Sequence, residues 1–301
     1  MRISIITPNF NYGHFLSRAI PSVVAQVVQG GDVEVEHIVV DAGSTDESLD
    51  LLRTHSASVA ASSEGSPLPM PTPDLSHRPD VPREGGGAER LGYRFLWISE
   101  PDRGQTHAIN KGLRLATGDI VCWLNADEYY LPGSLSKVVT VFAKTPSVDF
   151  IYGEPLYVDV GDKPIRIKRD HPFSGFVLMW YGCYIASCCS FWRRRILDAG
   201  EFLDEGYKVI MDGEYWVRLM KLGYRFQFLP VNIAAFAWHD SNVSSLFNQR
   251  RLQEQERIKL LYASRTCSSM RLRKKFLALM NFVSHQWRRI LVMYRLVFLP
   301  K

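Results

Sequence analysis

Cysteine is scarce in this sequence and unpatterned. Five residues (Cys122, Cys183, Cys188, Cys189, Cys267) form no CxxC pair and leave an odd count, which argues against a disulfide framework and a structural zinc site and makes reduced thiols the expectation. No segment approaches the roughly 18 consecutive apolar residues of a membrane-spanning helix. The opening MRISIITPNF has neither the apolar stretch nor the small-residue cleavage site of a secretory leader, so the expected location is cytoplasmic. Also missing are G-x-G-x-x-G after the first strand pattern and G-x-x-x-x-G-K-[ST], so a phosphate bound here needs a metal or a side-chain cation instead of a glycine cradle. Acidic residues are absent from Met270 to Lys301, where eight basic ones stand (Arg271, Arg273, Lys274, Lys275, Arg288, Arg289, Arg295, Lys301). Removing those eight from the net charge of +5 leaves −3. A nucleic-acid partner is therefore not expected, since only the tail would support one.

What is present fits a globular chain: 301 residues, 46% hydrophobic, enough for a large core and two lobes. Strand patterns run over Ile3 to Thr7, Val35 to Asp41, Arg94 to Ser99 and Asp119 to Leu124. Helical spacing separates them. Phe15, Ala19 and Val23 mark the first helix, where Pro21 predicts a kink or a late start. Ser44-Thr45-Asp46-Glu47 reads as a capping box before a helix from Asp46 to Arg53. Thr106 is a candidate cap for a third helix carrying Ile109, Leu113 and Ala116, with Gly118 closing it. This alternation predicts an open α/β sheet. Residues 55–92, with six prolines and Gly85-Gly86-Gly87, read as a disordered insertion. In residues 270–301, apolar residues at helical spacing beside the arginines and lysines predict a basic amphipathic helix on an anionic membrane face.

In an open α/β sheet, ligands bind outside the carboxyl ends of the strands, and all four strand patterns end in polar loops. Those loops carry TPNFNYGHFLSRAIPSV, VVDAGSTDES, EPDRGQTHAINKGLRLATGD and WLNADEYYLPGSL. In this order the segments resemble the inverting glycosyltransferases of family 2, with a GT-A fold, over about residues 1–54 and 93–245. The resemblance implies an open mixed sheet with a Rossmann-like nucleotide-sugar-binding half (1–130), an acceptor-binding half with the catalytic base (131–248) and a helical basic tail (249–301). It implies that Thr7, Pro8 and Phe10 line the nucleobase site, with Phe10 stacking on the base. Asp41 would accept a hydrogen bond from the base, with Asp46 following in a D-G-S-x-D pattern where Ala42 departs. Asn125-Ala126-Asp127 resembles D-x-D: Asp127 would ligate Mn²⁺ or Mg²⁺ bridging the diphosphate, Asn125 would bond a ribose hydroxyl, and Glu128 could supplement the metal site. Arg103 and Lys111 are candidate diphosphate contacts.

Farther along, Met211-Asp212-Gly213-Glu214-Tyr215-Trp216-Val217-Arg218-Leu219 resembles the family's E-D-x-D-L-W-L-R-L, with Met211 replacing a glutamate. Asp212 is by that match the catalytic base, because inversion by direct displacement needs a carboxylate that takes the acceptor hydroxyl's proton. From the residues alone, a cap on its own helix is the competing role; Glu214 is the fallback base. His239 falls where relatives place a histidine that reaches the metal or diphosphate. The aromatics Trp180, Tyr181, Tyr184, Phe191 and Trp192 read mainly as core, with an acceptor platform as the sharper option. Arg193-Arg194-Arg195 reads as a solvated charge run, and Cys188-Cys189 as buried small residues. The expected function is metal-dependent, inverting transfer from a UDP- or GDP-linked sugar to a glycan or lipid-linked acceptor in surface polysaccharide synthesis, with residues 270–301 touching the cytoplasmic membrane face. The alternative is a non-catalytic glycan-binding or scaffold subunit with a degenerate site, suggested by Asn125 and Met211.

Overall fold

The computed structural model describes residues 1–30, 33–62, 65–68, 84–239, 248–262 and 270–298. Its centre is a parallel run of β1 (Arg2–Asn9), β2 (Glu34–Asp41), β5 (Tyr93–Ser99) and β6 (Ile120–Trp123), in the order β5-β2-β1-β6. Ile3, Ile5, Ile6, Ile38, Val39 and Val40 are buried, the continuous apolar pattern of strands covered on both faces. The connecting helices are α1 (Gly13–Gly30), α2 (Ser48–Ala60) and α3 (Gln105–Leu115). Helix α3 lies close to β1 at Gly112, where a Cβ would come within 2.4 Å of the Ile6 side chain. These strands all end on one edge of the sheet, which gathers the polar loops that follow Asn9, Asp41, Ser99 and Trp123.

Beyond β6 the sheet becomes mixed. β10 (Ser190–Arg193) is antiparallel to both β6 and β8 (Phe150–Val158), while β11 (Phe226–Ala237) runs parallel to β8 and antiparallel to β7 (Glu128–Tyr130). β9 (Pro164–Ile167) pairs with β8. Three fully buried tryptophans fasten α7 (Met211–Lys221) to this half: Trp216 stacks on Trp123 at 5.4 Å and meets Trp192 edge-on at 5.5 Å. Tyr184, Phe191 and Trp192 are core residues, so that aromatic cluster is packing and not a platform. Helices α4 (Ser134–Lys144), α5 (Gly175–Trp180) and α6 (Arg195–Asp198) cover the lobe, and α8 (Asn248–Tyr262) and α9 (Met270–Phe298) follow.

Several sequence expectations need correction. Helix α1 begins at Gly13, so Pro21 lies inside it and does not mark a late start. The capping box does not form: Ser44 Oγ donates to Asp41, Glu47 makes no side-chain cap, and Asp46 accepts from Ser48 N–H at 3.0 Å instead. Thr106 is buried and donates to Tyr207 O, while Gly104 is the N-cap of α3. The segment 55–92 is not a wholly disordered insertion. Helix α2 extends to Ala60, and β4 (Glu84–Arg90) pairs along the whole length of β5, with β3 (Ser66–Leu68) outside it. The glycines of 85–87 suit this edge: at Gly87 a Cβ would lie 2.4 Å from Phe95 O. Residues 69–83 lie outside the described residues. Arg193-Arg194-Arg195 is not a solvated run. Arg193 donates to Phe142 O and Val148 O, both at 2.8 Å, Arg194 to Ala116 O, and Arg195 to Asp149 at 2.6 Å.

Among the described side chains of the C-terminal helix, Arg289 is exposed and two other arginines turn inward. Arg295 is buried and pairs with buried Glu154 at 3.0 Å, and Arg288 approaches Asp170 at 3.7 Å. Leu279, Phe282, Trp287, Ile290 and Met293 face outward. Its inward arginines hold the helix to carboxylates, and its apolar stripe meets solvent.

Candidate active site

A cleft of about 610 Å³ opens at the carboxyl edge of the parallel strands and is lined by residues from both lobes. Of the residues singled out from sequence, Pro8, Phe10, Asn125, Asp127 and Asp212 line it. Phe10 is 57% exposed, so its ring face is open for stacking. Asn125 accepts a hydrogen bond from Gln105 at 2.7 Å. Gln105, also in the lining, carries no sequence signal apart from its place at the start of α3.

Other singled-out residues act on the cleft from outside it. Thr7 is buried, its hydroxyl 2.9 Å from His37 Nε2. Asp41 is fully buried and accepts five hydrogen bonds: from Asn9 Nδ2, Ser44 Oγ, Ser99 Oγ, Gly43 N and Ser44 N. That set fills the lone-pair capacity of a carboxylate, so Asp41 shapes the loop whose Ala42 lines the cleft. Asp46 accepts from Gly13 N–H at 2.9 Å and ties the same loop to α1. Partial burial opposes its ionisation, but hydrogen bonds from Ser48 and Gly13 hold it below the usual carboxylate range. Lys111 pairs with Glu100 at 2.7 Å and donates to Pro101 O, and Arg103 pairs with Glu205 at 2.7 Å on the rim.

The two residues expected at a metal are brought together. His239 Nε2 lies 3.0 Å from Asp127 Oδ2, and the imidazole stacks on Phe15 with ring centroids 5.1 Å apart. Glu128 does not join them. Burial, with the Asp127 charge beside it, pushes its carboxyl up to about 8, and one of its oxygens accepts from Asn125 N–H at 2.9 Å. Among the described residues there is no group of three or more histidine, cysteine, aspartate or glutamate side chains that could hold a metal. The protein thus offers one oxygen and one nitrogen, a donor pair that suits Mn²⁺ when substrate oxygens and water complete the shell.

Asp212 is in the first turn of α7. One oxygen accepts from Gly213 N–H at 2.7 Å, the other from the Cys183 thiol at 3.8 Å. Burial raises its pKa, against which these two hydrogen bonds are weak compensation. The Cys183 thiol is itself held protonated by burial and by the Asp212 charge, which keeps it a donor. Glu214, the fallback base, is buried and occupied by Arg218 at 2.9 Å and the Tyr262 hydroxyl at 2.6 Å. Helix α7 has no side-chain cap at Ile210. Glu254 of α8 accepts from the N–H groups of Lys208, Val209 and Ile210, all at 3.0–3.1 Å, and steadies the entry to the helix that carries Asp212. No local sequence pattern reveals Glu254, because its partners lie more than forty residues earlier.

Comparisons with known proteins agree with this architecture. The profile described as Glycosyl transferase family 2 matches residues 4–65 and 88–200. An uncharacterized glycosyltransferase of Nostoc sp. is 32% identical over 165 residues, covering 55% of this chain and 40% of the relative. A PGL/p-HBAD biosynthesis glycosyltransferase of Mycobacterium bovis is 28% identical over 152 residues, covering 50% and 45%. The chain therefore spans less than half the length of these curated relatives. Among solved structures, S. aureus TarS 1-349 in complex with UDP-GlcNAc superposes with a TM-score of 0.61 at 14% identity, over 95% of this chain and 72% of that one. A mannosyltransferase from Pyrobaculum calidifontis in complex with GDP-Man and Mn²⁺ gives 0.59 at 17% identity, over 94% and 69%. At such identities the likeness is one of fold.

Proposed function

The chain belongs to glycosyl transferase family 2, and from that premise we propose that it transfers a sugar, with inversion, from a UDP- or GDP-linked donor to a hydroxyl of a glycan or lipid-linked acceptor in surface polysaccharide synthesis. The observation that carries this reading is a single cleft lined by Phe10, Asp127 and Asp212. Phe10 stacks on the nucleobase and Asp127 with His239 holds the divalent cation, Mn²⁺ or Mg²⁺. Asp212 accepts the proton of the attacking hydroxyl, and its raised pKa makes it a stronger base than an ordinary carboxylate. A bound cation supplies charge stabilisation to the departing diphosphate. Arg103, exposed beside the cleft and paired with Glu205, is the candidate cation for the diphosphate. The outward apolar stripe of α9 is the part of residues 270–301 that would enter a membrane interface. No helix among the described residues is long and apolar enough to cross a membrane.

The test is a thermal-shift panel of the purified chain with UDP, GDP, CDP and dTDP, each with and without Mn²⁺, since a ligand selective for the native state raises its stability. A metal-dependent shift with one of them supports the transferase and names the donor class. No shift with any, in folded protein, favours the scaffold reading, for which Asn125 in place of an acidic D-x-D residue is the motivating observation.

A further inference from the structure

An aromatic row runs from the cleft onto open surface. Phe236 lines the cleft. On β11 it is paired with Tyr157 of β8 and Glu128 of β7, so these three side chains share one face of the sheet. Ala235 and Ala237 turn to the other face, where they pack with Val158. Trp238 extends the row: its ring centroid is 6.4 Å from Phe236 and 6.2 Å from Tyr157, and those two rings are 5.3 Å apart. Its backbone N–H donates to Val158 O at 2.8 Å, which continues the ladder and fixes the main chain that presents the indole. Trp238 is 50% exposed, whereas Trp123, Trp192 and Trp216 are all at 0%. It immediately precedes His239, which pairs with Asp127. Arg166, opposite Tyr157 on β9, is exposed at the edge of the row.

The half-open indole face of Trp238, with the Phe236 and Tyr157 rings tilted 45° and 59° to it and polar neighbours at its edge, suits a ligand that is apolar on one side and hydroxylated at its rim, which describes a pyranose ring. We propose that Trp238, backed by Phe236 and Tyr157, forms a carbohydrate subsite that stacks a pyranose of the acceptor at the mouth of the cleft. The subsite rests on the transferase reading and deepens it by assigning a sugar, not a lipid chain, to the acceptor's first contact. The cluster around Tyr184 does not serve this purpose, because Tyr184, Phe191 and Trp192 are core and Tyr181 packs against His285 and Arg288 of α9.

The experiment measures binding of methyl glycosides of glucose, galactose, mannose and N-acetylglucosamine to the full chain by saturation-transfer NMR, with UDP and Mn²⁺ present. Wild type binds at least one glycoside saturably. Trp238→Ala weakens that binding about tenfold, Trp238→Leu does the same because bulk without a ring face cannot stack, and Trp238→Phe stays within about threefold. The UDP thermal shift is unchanged in all three variants. Glycoside binding as tight in Trp238→Ala and Trp238→Leu as in wild type overturns the subsite, and so does a wild type that binds none of the panel. Retention by Trp238→Leu with loss in Trp238→Ala also overturns it, in favour of an apolar contact for a lipid. A wild type without a UDP shift counts against the transferase reading, whereas an intact UDP shift with indifferent glycosides removes the subsite alone.

Discussion

Asp41 and Asp212 serve one cleft under very different local conditions. Asp41, at the end of β2, is fully buried and saturated by five donors. Asp212, in the first turn of α7, lines the cleft and has only its neighbour's N–H and a thiol. Five donors leave Asp41 no lone pair to offer a substrate, whereas Asp212 keeps acceptor capacity on the cleft side, with burial raising its pKa. Two aspartates in equally suggestive motifs are thereby separated into one that builds a loop and one that is equipped to take a proton.

The largest effect expected from this contrast is on turnover. Asp212→Asn lowers turnover about a thousandfold and leaves the melting temperature near wild type, which a steady-state assay with a melting curve on the same sample checks. A variant that melts early and turns over normally would reverse the two roles. Asp41→Ala does the opposite: it strands the Asn9 amide and two serine hydroxyls in the interior and costs about 3 kcal/mol in stability, read from denaturant midpoints. Smaller and more gradual is a pH effect. Burial lowers His37 to about 3, and His55 and His171 to about 4, from the ordinary 6.5. Below pH 6.5 the unfolded chain binds protons that the folded chain refuses, so stability falls as pH drops from 6.5 toward 4, each histidine contributing up to about 1.4 kcal/mol per pH unit. His37→Gln should flatten the slope between pH 6.5 and 4; an unchanged slope would mean that this imidazole is protonated within the fold.

The parallel strands were legible because strands buried on both faces are written as apolar runs, and the observed bounds of β1, β2, β5 and β6 lie within two residues of those patterns. Asp127, Asp212 and Phe10 were also legible, since each sits in a local motif. What was hidden depended on distance along the chain. Strand β4 reads as Gly-Gly-Gly in isolation and becomes a strand only because β5 and β3 supply its partners. The inward arginines of α9 look like a basic surface until Glu154 and Asp170 are placed beneath them. Glu254 has no local pattern at all. Lys111 and Arg103 are candidate diphosphate contacts in the sequence, and their carboxylate partners Glu100 and Glu205 emerge only from the folded arrangement.

Donor binding and proton removal fall to different aspartates of one cleft in this reading, Asp127 and Asp212. Calorimetric titration of UDP with Mn²⁺ into wild type, Asp127→Ala and Asp212→Asn separates the two roles. Asp127→Ala is expected to lose the metal-dependent part of the affinity, while Asp212→Asn binds as wild type does. Equal loss of binding in both variants would rule out the division of labour.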